Sequence, residues 1–149
     1  MILYLDSSAI VKRYVTEAHS IEVRSLLDEA DAAATSMVSR VEVSAALARA
    51  VRLGVLNPVA GRNAHRRFAS EWPDYVRIPV TEVLVARADG LAWEYGLRGY
   101  DAVQLSSALA WQDAIGRDVV FATFDRELAN AAEGTGLQGW PAATPTRRR

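Results

Sequence analysis

The chain has 149 residues, 50% hydrophobic and 23% charged, with a formal net charge of −1. That is an ordinary length for one domain around a single core, and no run approaches the ~18 apolar residues of a membrane span. Cysteine is absent, which excludes disulfides, thiolate zinc sites and cysteine nucleophiles together. The amino terminus enters a strand with no basic region before it, so a cytoplasmic location is expected and a secretory signal is not. A near-neutral total advertises no nucleic-acid partner. The cations, however, are almost all Arg, with Lys12 the only lysine, and Arg suits bidentate phosphate contacts. Arg62, His65, Arg66 and Arg67 form one local cluster, and Arg147 to Arg149 another; both read as solvated surface.

Strand and helix alternate along the chain. Ile2 to Leu5 is a short buried-type strand, stopped by the cap-forming types Asp6-Ser7-Ser8. Ala9 to Val15 and Ser20 to Ala30 read as helices, and Ala32 to Thr35 as a weak strand. A long Ala-rich helix follows from Met37 to Leu53, with Val38, Val41, Ala45, Ala48 and Val51 as its apolar stripe. Asn57-Pro58 opens a helix to about Glu71. Val76 to Val80 is extended, and Thr81 caps a helix to about Tyr95. Asp101 starts a helix through Ala114 that leans on Leu105 and Ala108. Asp118 to Thr123 is the clearest strand, Asp125 opens a helix to about Ala132, and Leu137 to Trp140 is a last short strand. The economical fold is one α/β domain over residues 1–140, a three-layer sandwich with a central mostly parallel sheet. A flexible Arg-rich tail is expected over 141–149.

Asp6, Glu42, Asp101 and Asp125 stand out because each lies where an apolar strand yields to a helix or near the start of an apolar helix. In an open parallel sheet, ligands bind beyond the carboxyl ends of the strands, so Asp6 and Asp125 should meet there. Each acid has a structural alternative. Asp6, Asp101 and Asp125 could be N-caps, and Glu42 stands three residues after Ser39, the spacing of a capping box. As a set they suit a hard divalent cation such as Mg²⁺ or Mn²⁺, which takes oxygen ligands and offsets the repulsion of gathered carboxylates. Such a site acidifies a water and stabilises the oxygens of a phosphodiester in line. Ser8 and Thr123 are placed to support the acids or to cap helices. His19 and His65 are lone and flanked by polar residues, and no Gly-rich phosphate loop or Gly-x-Ser-x-Gly elbow is present. Trp72, Trp93, Trp111 and Trp140 are expected in core or interface packing.

Four segments then carry a resemblance over roughly residues 1–140: Leu3-Tyr4-Leu5-Asp6-Ser7-Ser8-Ala9, Ser39-Arg40-Val41-Glu42-Val43, Arg98-Gly99-Tyr100-Asp101-Ala102-Val103-Gln104-Leu105, and Phe121-Ala122-Thr123-Phe124-Asp125-Arg126-Glu127-Leu128. In order and spacing they resemble the PIN-domain family, and within it the VapC-type toxins of VapBC toxin–antitoxin pairs. The resemblance implies a parallel-sheet α/β sandwich, Mg²⁺- or Mn²⁺-dependent endoribonuclease activity, homodimers, and inhibition by a cognate VapB-type antitoxin. Asp6, Glu42, Asp101 and Asp125 fall on the family's acidic positions, with Asp118 near the last of them. On that reading Asp6, Glu42 and Asp101 hold the metal and Asp125 holds it too or manages the water. Val51, Leu53, Val55, Leu56 and the helix from 58 to 71 could form a groove for an antitoxin helix. Two alternatives stay open. One is a phosphatase of the haloacid-dehalogenase type with Asp6 as nucleophile, although that family wants Asp where Ser8 stands. The other is a non-catalytic regulatory or RNA-binding module.

Overall fold

The computed structural model describes residues 1–142. Residues 143–149, which include most of the expected tail, lie outside it. Five strands form one all-parallel sheet in the order β3-β2-β1-β4-β5: β1 (Ile2–Leu5), β2 (Ala32–Ser36), β3 (Val76–Ile78), β4 (Val119–Ala122) and β5 (Gln138–Trp140). Helices α1 (Ser7–Tyr14), α2 (Ser20–Glu29), α3 (Ser39–Arg52), α4 (Pro58–Glu71), α5 (Glu82–Tyr95), α6 (Gly99–Ile115) and α7 (Arg126–Gly134) make the connections. All four residues of β1 are buried, as a parallel strand covered on both faces requires.

The two-residue alternation of β1 divides the core. Ile2 and Tyr4 face α5, α6 and α7, and the Tyr4 ring stacks on Phe121 of β4 with centroids 5.4 Å apart. Leu3 and Leu5 face the opposite way, toward Ile10, Val23, Val43, Leu47 and Phe68 from α1 to α4. The chain is therefore a three-layer sandwich. Strand order reverses direction between β1 and β4, so their carboxyl ends flank the crevice where such sheets place ligands.

Two helices depart from the sequence reading. The inward residues of α3 are Ser39, Val43 and Leu47, not the Val38, Val41, Ala45, Ala48, Val51 stripe, and Val41 is 63% exposed. Both stripes obey helical spacing. The inward one tolerates Ser39 because its hydroxyl is hydrogen-bonded to Thr35 Oγ1 at 2.7 Å and accepts from Gln104 Nε2 at 2.8 Å. The second departure is α6, which begins two residues before Asp101 and buries residues on nearly every side, from Ala102 to Trp111. It runs between the sheet and α5, so it has no broad solvent face.

Candidate active site

Asp6 leaves the carboxyl end of β1 as the N-cap of α1. Its Oδ1 accepts from Ala9 N–H at 3.0 Å and Ser8 Oγ at 2.7 Å, while Thr123 Oγ1 donates to Oδ2 at 2.6 Å. It is only 3% exposed. Burial pushes its carboxyl up to about 6 against those three hydrogen bonds, and the charge of Asp101 adds to the rise. Ser8 and Thr123 thus both grip Asp6, and each also ties in the chain beyond β4. Ser8 Oγ accepts from Phe124 N–H and Thr123 Oγ1 from Asp125 N–H, both at 3.0 Å.

Asp125 caps α7, its Oδ1 accepting from Leu128 N–H at 2.9 Å. The other oxygen carries no hydrogen bond among the described residues. Asp118, the other acid near that position, precedes β4 and so lies at the amino end of the parallel strands, opposite the carboxyl end where Asp6 stands. Asp101 is the third residue of α6 and not its cap, which is Arg98. Burial, then the charges of Asp125 and Glu42, push its carboxyl up to about 6, while Arg98 opposes the rise. Asp101 thus feels the charges of Asp125 and Glu42, and its own charge acts on Asp6.

Glu42 lies in the first turn of α3 but forms no capping box, since Val38 is the N-cap and makes no side-chain bond. Its carboxylate instead accepts from Ser7 Oγ at 3.2 Å and from Gln104 Nε2 at 2.8 Å. Gln104 and Ser7 were not among the residues singled out from sequence. Gln104 is 1% exposed and also accepts from the Tyr4 hydroxyl at 2.6 Å. One amide therefore links β1, α3 and α6 and aims Glu42. The available signal was a Gln in the apolar first half of α6, together with the hydroxyls Thr35 at the end of β2 and Ser39 at the start of α3. Buried polar groups require partners, and these are each other's.

Thr123 ties Asp6 to the Asp125 backbone, and Ser7, next to Asp6, holds Glu42; carboxylate oxygens are the donor type hard divalent cations take. Among the described residues, no three His, Asp or Glu side chains form a group that could hold a metal ion as they stand. Mg²⁺ keeps several waters and is usually held through one or two protein carboxylates, so the chemistry of these donors suits such an ion although their spacing as they stand does not enclose one. His65 is elsewhere, its Nε2 3.0 Å from Ser44 Oγ.

Comparison with known proteins agrees with this architecture. The PIN domain family matches residues 3–134, and the chain belongs to that family. It is 37% identical over 141 residues to Ribonuclease VapC45 of Mycobacterium tuberculosis strain CDC 1551 / Oshkosh, covering 95% of this chain and 96% of that one. Ribonuclease VapC49 of M. tuberculosis strain ATCC 25618 / H37Rv matches equally, at 37% identity with coverage of 95% and 96%. Among solved structures, PAE2754 from Pyrobaculum aerophilum superposes with a TM-score of 0.65 at 20% identity, covering 93% of this chain and 83% of that one. A toxin–antitoxin complex from Klebsiella pneumoniae gives 0.63 at 15% identity, covering 87% and 91%.

Proposed function

We propose that the protein is a divalent-metal-dependent endoribonuclease, the toxin of a toxin–antitoxin pair, which hydrolyses RNA phosphodiester bonds in the cytoplasm and so inhibits translation. The observation that carries this reading is the buried Asp6 at the β1 end, tied through Thr123 to Asp125 and flanked by Ser7, which holds Glu42. The kinship to proteins named ribonucleases supports RNA as substrate. A bound Mg²⁺ or Mn²⁺ supplies positive charge against phosphate oxygens and acidifies a water. Asp6, Glu42 and Asp101 are the proposed ligands. Ser8 and Thr123 fix the Asp6 carboxylate, and Gln104 fixes Glu42. The Asp125 oxygen not used in capping holds the metal with the other three or takes a proton from the attacking water.

The phosphatase alternative is disfavoured by geometry. Both Asp6 oxygens already accept hydrogen bonds, and Ser8, at the position that family gives to an acid, is one of the donors. Nothing favours a non-catalytic module. For partners, a groove of about 520 Å³ between α3 and α4, lined by Leu47, Ala48, Val51, Pro58, Gly61 and His65 among others, is the proposed seat of an antitoxin helix. A homodimer would cover α5, where Val83 and Trp93 are 82% and 92% exposed.

Purified protein incubated with single-stranded RNA tests the activity. Cleavage is expected with Mn²⁺ or Mg²⁺ and not with EDTA, leaving 5′-phosphate and 3′-hydroxyl ends if water attacks phosphorus and the P–O3′ bond breaks, the 3′ oxygen leaving with a proton. Cyclic 2′,3′-phosphate ends, or cutting undiminished by EDTA, would refute it.

A further inference from the structure

The crevice is bordered by an aromatic cluster that hydrolysis does not use. Phe124 joins β4 to Asp125, and its N–H is held by the same Ser8 hydroxyl that binds Asp6. Trp140 meets the Phe124 ring edge-on at 5.8 Å, Lys12 Nζ lies 4.5 Å from its centroid, and His19 stacks on it at 5.4 Å with planes 23° apart. Lys12 is anchored by Ala18 O at 2.9 Å and Glu17 at 3.2 Å. His19 is exposed, so the stack that begins at Phe124 ends on an imidazole whose other face meets solvent.

The backbone beneath that imidazole is unusual. His19, at φ 69°, is the only non-glycine residue with positive φ among the described residues, a conformation that L residues adopt rarely and that clusters at functional sites. It stands at the N-cap of α2, yet its side chain makes no capping bond. Asn and Asp adopt that backbone as well as His does. Neither the turn nor the cap calls for an imidazole, so what its ring contributes at this position is the stack on Phe124.

Resting on the ribonuclease reading above, we propose that His19 is a base-binding residue. The outer imidazole face stacks on a nucleobase of single-stranded RNA beside the scissile phosphate, backed by Phe124 and the Lys12 ammonium. Single-stranded RNA is recognised in this way, by aromatic faces next to positive charge. Stacking tolerates any base, so the platform sets where the strand lies more than which base occupies it.

Oligoribonucleotides carrying 2-aminopurine at successive positions, bound with Ca²⁺ in place of Mg²⁺, report stacking as fluorescence quenching. Wild type and His19→Phe should quench one position strongly. His19→Gly removes the ring and relieves the positive φ. It should lose that quenching, bind about tenfold more weakly and raise KM for cleavage by a similar factor, with kcat little changed and Tm not lowered. A His19→Gly protein that quenches and binds like a cleaving wild type would overturn the platform and leave the ribonuclease reading standing. So would a His19→Gly protein whose lost binding accompanies a lower Tm, which would make His19 structural. Wild-type protein that neither binds nor cuts RNA would overturn the ribonuclease reading itself.

Discussion

Asp6 and Gln104 show two ways a buried polar side chain enters a site. Asp6 was legible in the sequence because an apolar strand ending in an acid before cap-forming residues has few other uses. Gln104 was not, because a single amide in an apolar helix has many possible partners, and only the packing of β1 against α3 and α6 selects Tyr4, Ser39 and Glu42. Gln104→Leu keeps the volume and strips those partners. It should cost about 2–3 kcal/mol in denaturant unfolding, and turnover should fall because Glu42 loses its aim. Stability equal to wild type would contradict the network. Asp6→Asn should abolish cleavage and yet, without metal, stabilise the protein near neutral pH by on the order of 2 kcal/mol. Asparagine keeps the two bonds at Oδ1 without placing a charge in a buried site, and the Thr123 hydroxyl, which donates to Oδ2 of Asp6, turns to accept from the amide Nδ2. A metal-free Asp6→Asn protein melting below wild type at pH 7 would contradict that.

Helix α3 illustrates what periodicity alone leaves open. With Val or Ala on most sides, two phases satisfied the same spacing, and the buried one is the phase that puts Val43 and Leu47 in the core and gives Ser39 its partners Thr35 and Gln104. The outward stripe was not wasted, since Ala48 and Val51 line the groove toward α4. That groove depends on Gly61, where a Cβ would fall on the Val51 Cγ2 methyl. Gly61→Ala should destabilise by roughly 1–2 kcal/mol through overpacking, and Val51→Ala in the same chain should recover much of it. Thermal melts that put Gly61→Ala level with wild type would show that α3 and α4 stand further apart. The helix boundaries around the acids were legible to within a few residues because caps mark them, Asn57, Thr81 and Asp125 each accepting from a backbone N–H. The start of α6 was placed two residues late, at Asp101, because Gly99 and Tyr100, which resemble a turn, already belong to the helix.

The fold as a whole brings like charges together, and this has a consequence in pH. The carboxyls of Asp6 and Asp101 rise from 3.8 to about 6 on folding. Between those values the folded protein binds more protons than the unfolded chain, so stability falls as pH rises through the window and levels off above it. Without metal, Tm should therefore decline from pH 4 toward pH 6, the reverse of a protein whose carboxylates are held in ion pairs. A Tm that climbs across that range would show that folding does not raise these two carboxyls. The parallel sheet and its crevice could be anticipated from the strand–helix alternation, whereas the elevated proton affinity could not. It depends on the depth of Asp6 and the spacing of four side chains that only the folded chain brings together.

Proton release on metal binding measures that coupling directly, because a carboxyl must lose its proton to become a ligand. Mn²⁺ titrated calorimetrically at pH 6, in buffers of differing ionisation enthalpy, should bind with release of protons that disappears by pH 8. Asp101→Asn should weaken the binding and reduce the release. Saturable binding with no proton release at pH 6, or no binding at all, would contradict the account.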